Sequence, residues 1–136
     1  MAMVFLSLIL VAALFMVGQS HQGAMDAGFE ALAIQMALEP IEVFRGFGAR
    51  RMADYAAHPL PEYPLGVQTV PVVSGAIHRP VDCGLFEREI ILRPVSTPFP
   101  GVQVEVKVRP RGQTQAQRWF RREEWSLSCL LVEQPR

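Results

Sequence analysis

From Met1 to Gly18 the chain reads MAMVFLSLILVAALFMVG, with Ser7 as its only polar side chain. The first formal charge is Asp26, and the first basic residue is Arg45. As a helix this run spans about 27 Å, close to the hydrocarbon thickness of a bilayer. A helix satisfies its own backbone hydrogen bonds, so such a stretch can cross lipid. Three readings compete. A cleaved signal peptide calls for a basic start and a small-residue cleavage site. No Lys or Arg precedes this run, and Val17-Gly18-Gln19 is a poor site. A buried helix that is apolar all round is hard to hide in a small domain. A membrane helix over residues 1–18 is favoured over both. The positive-inside rule gives it no orientation, because no Lys or Arg flanks it.

The pattern then turns amphipathic without stopping. Met25, Phe29, Leu32 and Met36 recur at helical spacing, and Val43 and Phe47 extend the line. Asp26, Glu30, Gln35, Glu39 and Glu42 fill most of the other positions. One apolar stripe on a polar helix predicts a core-facing helix over 19–48. Pro40 is expected to kink or break it, and Gly46 and Gly48 to end it. Arg50 to Ala57 reads as a short helical turn. HPLPEYPLG at 58–66 carries three prolines and is a loop.

The rest alternates with period two. Val67 to Val73 reads as a strand that Pro71 confines to an edge. Phe86 to Arg93 places Phe86, Ile90 and Leu92 on one face and Glu87, Glu89 and Arg93 on the other. Val102, Val104, Val106 and Val108 alternate with Gln103, Glu105, Lys107 and Arg109. Trp125, Leu127, Cys129 and Leu131 share a face of a last strand. STPFPG at 96–101 is a turn, and the polar stretch between the last two strands an exposed loop. A sheet with one apolar face needs a cover, and the amphipathic helix is the only candidate. The expected fold is therefore α+β. A long N-terminal helix, apolar in its first half and amphipathic in its second, packs on an antiparallel sheet of three or four strands within a β head spanning 49–136.

Composition narrows the function. The chain has 136 residues, half of them hydrophobic and 19% charged, which excludes a disordered chain and fits one domain. Thirteen basic residues balance thirteen acidic ones, so nothing general draws it to nucleic acid. His21, His58 and His78 have no ligand spacing, no Cys-x-x-Cys occurs, and no cofactor or metal is expected. Glu87 and Glu89 share a strand face, with Arg88 and Arg93 nearby. Lacking a nucleophile or base beside them, they read as a wet surface, and the chain does not read as an enzyme.

The assembled arrangement resembles the type IV pilin family, including the minor pilins and the pseudopilins of type II secretion. MAMVFLSLILVAALFMVG is similar to the membrane and filament-core helix of pilins. ALAIQMALEPIEVFRGFG is similar to the second half of such a helix in minor pilins. A Pro/Gly-bearing loop and the strands FEREIILRP, GVQVEVKVRP and EEWSLSCLLV follow. The resemblance implies a structural subunit, held in a bacterial inner membrane and packed into a filament by its helix, with the β head in the periplasm or outside. Met3, Phe5, Leu6, Leu8, Ile9, Leu10, Leu14, Phe15 and Val17 would make the membrane and assembly contacts, with other pilin-like subunits as partners and no small-molecule substrate. Pilins also carry a basic leader, a glycine at the processing site and a glutamate at the fifth mature position. None is in this sequence, and the expectation is that Met1 is internal, with that segment preceding it. An alternative is a single-pass anchored β domain that binds a partner or ligand without polymerising.

Two further groups bear on this reading. In an oxidising compartment Cys83 and Cys129 are a candidate disulfide, although Cys129 on an apolar strand face also suits a buried thiol. Arg118, Trp119, Phe120, Arg121 and Arg122 interleave aromatic and basic residues and could stack on single-stranded DNA. The bland alternative, a loop whose aromatics tuck under the sheet and whose arginines pair with Glu123 and Glu124, is favoured by the zero net charge.

Overall fold

The computed structural model describes residues 2–112 and 123–132, with the backbone alone for residues 2–8. The fold is α+β. One helix, α1 (Ala2–Ala53), packs on a sheet of four antiparallel strands: β1 (Gly66–Thr69), β4 (Phe86–Val95), β5 (Gly101–Pro110) and β6 (Trp125–Val132). Their spatial order is β1-β4-β5-β6. A small hairpin, β2 (Val73–Ser74) and β3 (Ile77–His78), and a 3-10 turn (Val81–Leu85) lie between β1 and β4.

The sheet forms where alternation is strongest. Val102, Val104, Val106 and Val108 of β5 are all buried. In register beside them, Leu92 of β4 and Cys129 of β6 face Val104, and Leu127 faces Val106. The opposite face is wet and laced with charge. Glu87 accepts a 3.3 Å hydrogen bond from Arg109, and Glu105 sits 3.1 Å from Arg93 and 3.8 Å from Lys107. At the start of β5 the chains approach closely. A Cβ on Gly101 would stand 2.3 Å from the Leu131 carbonyl oxygen, so no larger residue fits there without moving the β5–β6 pair.

The face that α1 presents is Phe29, Ala33, Met36, Ala37, Pro40, Ile41 and Phe44, all buried. Two expectations are corrected here. Met25 stays 42% exposed, because it lies one turn beyond Phe29, where the Phe29 ring meets Phe86 at 6.1 Å and the contact with the sheet begins. Leu32, Val43 and Phe47 do pack against the core, from its border and partly buried, while the helix presents Ala33 and Ala37 fully buried between the larger residues. Small residues let the helix backbone come near the sheet, and large ones flank that approach. Pro40 neither breaks nor ends α1: the one non-helical residue inside it is Gly48 (φ 74°, ψ 165°). That positive φ is strained for any side chain, and the helix changes direction there before a last turn to Ala53. This matches the terminator expected at Gly48 and the helical turn expected after it.

Pro40 is tolerated because its loss is made good from the sheet. A proline lacks the N–H that would bond to the carbonyl four residues earlier. That carbonyl belongs to Met36, and it accepts a long 3.4 Å hydrogen bond from Arg88 Nη1 of β4. Loss of a large core side chain costs about 3–5 kcal/mol, whereas truncation at an exposed site stays within about 0.5 kcal/mol. Urea unfolding followed by circular dichroism therefore separates two variants: Phe44→Ala loses most of the head's stability, and Met25→Ala leaves the midpoint unchanged.

Candidate functional site

Two features carry the chemistry and the surface of this molecule. The first is the uncovered start of α1. Ile9, Leu10, Val11, Leu14, Phe15, Met16 and Val17 are each between 54% and 72% exposed. Every side of the helix is apolar here, so no rotation hides it. The stretch from Ala2 to Gly28 extends roughly 40 Å past the first residue that touches the sheet. Of the expected assembly residues, Ile9, Leu10, Leu14, Phe15 and Val17 are on this bare segment, and the side chains of Met3, Phe5, Leu6 and Leu8 lie outside the described residues. Among the described residues no helix is long and apolar enough to cross a membrane.

The second feature is a knot of charge under the other half of α1. Glu39 points from the helix into the crevice between the sheet and the 54–65 loop. Arg79, just after β3, grips it at both oxygens: Nε donates to Oε1 at 3.1 Å and to Oε2 at 2.9 Å, and Nη2 donates to Oε1 as well. Arg79 Nη1 donates to the Pro71 carbonyl at 2.9 Å, which ties the base of the β2–β3 hairpin to the same point. The Tyr63 hydroxyl donates to Glu39 Oε1 at 2.8 Å. Arg88 stands 3.7 Å from Glu39 Oε2, its guanidinium 5.3 Å from the centre of the Tyr63 ring. Both arginine side chains are only 4% exposed, and Glu39 is 24% exposed. Tyr55 closes the loop, donating to the Tyr63 carbonyl at 2.9 Å and accepting from the Leu60 N–H at 3.1 Å. Its ring stands edge-on to Phe44 at 4.9 Å.

This environment moves the titrations. Burial works to raise the Glu39 carboxyl. Hydrogen bonds from Arg79 and Tyr63, with the charges of Arg79 and Arg88, outweigh burial and hold it below its ordinary 4.5. Tyr63 is pushed up to about 12, by burial first and then by its hydrogen bond to Glu39. Burial also raises Tyr55 and lowers Arg88, while the hydrogen bond to Glu39 raises Arg79.

No motif in the sequence announces this cluster. Arg88, close to Glu87 and Glu89 in sequence, points to the opposite face from them. It follows the period of Phe86 and Ile90 into the core, and Arg93 pairs with Glu105 instead. Strict alternation over Phe86–Ile90 was the signal for Arg88, while Arg79 and Tyr63 sit in stretches with no periodicity to read. Glu39 fills a polar position beside the apolar stripe, and that pattern gives no sign of its partners.

The candidate disulfide is also corrected. Cys83 and Cys129 are both free, and burial raises both thiols. Cys129 is level with Val104 and Leu92, whereas Cys83 precedes Phe86 at the other end of β4. Their separation along the strands is about 20 Å, far beyond the roughly 7 Å between Cα atoms that a disulfide permits. His21, His58 and His78 are exposed, and among the described residues no three His, Cys, Asp or Glu side chains are placed to hold a metal ion. Arg118, Trp119, Phe120, Arg121 and Arg122 lie outside the described residues.

Removing one partner of a buried ion pair leaves the other charge uncompensated. Glu39→Gln strands two buried guanidinium groups, and the head is expected to lose about 3 kcal/mol in denaturant unfolding at neutral pH. Because the folded carboxyl lies below 4.5, its contribution is complete above that pH and fades as pH falls through the folded value. The native chain is therefore expected to lose stability in acid below pH 4.5, in denaturant unfolding repeated across pH, by a step that Glu39→Gln lacks.

The chain matches no protein-family model, no curated protein and no solved structure.

Proposed function

We propose that this chain is a structural subunit of an envelope filament, of the minor pilin or pseudopilin kind, that assembles through the first half of α1. The observation that carries this reading is the apolar segment Ile9–Val17, left bare on a helix whose second half is built into the head. Contiguous apolar surface of that extent needs a cover. Lipid supplies one, and the matching helices of neighbouring subunits supply another. A filament subunit uses both in turn, exchanging lipid contacts for helix contacts without any bond-making chemistry. The continuity of α1 supports this, since a head packed on the same helix is carried into position when that helix docks. Placement of the head in the periplasm or in an extracellular filament belongs to the same proposal.

One observation favours the alternative of an anchored β domain that binds a partner without polymerising. Strand β6 is last in the sheet order, so one of its edges has no strand partner among the described residues. An open edge accepts an extended segment by strand addition.

A charge at the centre of the bare segment separates the readings. Leu14→Asp costs several kcal/mol in any apolar surround and touches nothing in the head. In the source cells, this variant is expected to vanish from the sheared filament fraction while its purified head keeps the native circular dichroism. Undiminished recovery of Leu14→Asp in filaments would overturn the proposal. Loss from membranes, with no filament fraction containing the native chain, would select the anchored domain.

A further inference from the structure

A cavity of about 140 Å3 opens beside the charge knot, between the 58–66 loop, β1 and β4. Pro61, Pro64 and Pro71 wall it, Gln68 and Thr69 stand along β1, and Arg88 closes it from the sheet. Gln68 is the direct cross-strand neighbour of Arg88, so the two side chains emerge on the same face.

The charge here does not balance. Arg79 and Arg88 share one carboxylate. Arg79 takes it at both oxygens, and Arg88 is left at 3.7 Å from Oε2. Glu62 offers Arg88 its backbone carbonyl at 3.2 Å, but its carboxylate lies against Gly75 in the β2–β3 turn. The knot therefore carries one net positive charge, on a guanidinium whose side chain is 4% exposed. A cation so placed calls for a counter-charge. It also has N–H groups beyond the two that hold the helix and the loop. A guanidinium has five N–H groups. Among the described residues Arg88 donates to only two acceptors, the carbonyls of Met36 and Glu62.

We propose that this cavity is a binding site for a small carboxylate, held by Arg88 with Gln68 at its mouth. The guanidinium fork matches a carboxylate in shape and charge. The proline rings suit the short apolar stem that carries it, and they hold the walls in place without adding donors. The room suits an acetate-sized or propionate-sized group. Two sources share this chemistry: a free short-chain carboxylate, and the carboxyl terminus of a peptide. The site belongs to the head and does not depend on how α1 is used.

The test titrates the full chain in detergent with sodium acetate against sodium chloride at equal ionic strength and neutral pH. The readouts are the Arg88 Nε–H resonance and the melting temperature. Acetate is expected to shift the resonance saturably and to raise the melting temperature beyond the chloride control. Gln68→Glu sets a fixed carboxylate at the mouth of the cavity on an exposed side chain, and is expected to weaken acetate on the order of tenfold while leaving the fold intact. A tetrapeptide with a free carboxyl terminus is then compared with its amide. Tighter binding than acetate, lost on amidation, assigns the site to chain termini, and binding no tighter than acetate assigns it to free carboxylates. Equal effects of acetate and chloride, or unchanged acetate binding in Gln68→Glu, would overturn the proposal.

Discussion

The head is organised around one carboxylate. Glu39 collects Arg79 from the base of the β2–β3 hairpin, Tyr63 from the proline-rich loop and Arg88 from β4, and binds all three to the underside of α1. The loop and the hairpin have little regular structure of their own. The loop has no ladder, and each strand of the hairpin is two residues long. Their positions follow from what they donate to Glu39. A buried ion cluster of this kind adds little net stability over an apolar substitute. It adds direction, because guanidinium and phenol groups bond only at set geometries. The valine row of β5 holds the helix to the sheet, and Glu39 fixes where along the helix the remainder attaches.

Arg88 links this cluster to the helix in a second way. Pro40 deprives the Met36 carbonyl of its helical partner, and Arg88 reaches that carbonyl from β4. A defect in α1 and a charge in the sheet thus answer one another. The consequence is mechanical. With Pro40 supported, α1 continues unbroken from the bare apolar segment to Gly48. A force or contact applied at Leu14 is transmitted to the head through one helix. A hinge at Pro40 would have uncoupled the two.

What could be read beforehand followed periodicity. The antiparallel strands, their inward faces, the turn at 96–101 and the break at Gly48 all stand in the residue pattern, because burial imposes period two or 3.6 on it. The α+β architecture followed from the need to cover one apolar face. The helix stripe holds from Phe29 to Phe47 and fails only at Met25. Large residues such as Met25 draw attention in a sequence, whereas Ala33 and Ala37 mark the line of closest approach without standing out. The ion cluster was legible only at Arg88, where strict alternation puts a cation between Phe86 and Ile90. Arg79, Tyr63 and Glu39 meet through contacts far apart in sequence, and no local pattern encodes such a meeting. The two cysteines are a similar case, since strand register, and not spacing, holds them at opposite ends of the sheet.

The account rests on the bare half of α1 being a surface for other helices. A photo-crosslinking side chain placed at Leu14, with the chain expressed in its source cells, reads that contact directly. The account predicts covalent adducts to the helix of a neighbouring subunit, found in the assembled fraction, and lipid adducts in the membrane pool awaiting assembly. Lipid adducts alone, in every fraction, would contradict it and leave α1 as a membrane anchor.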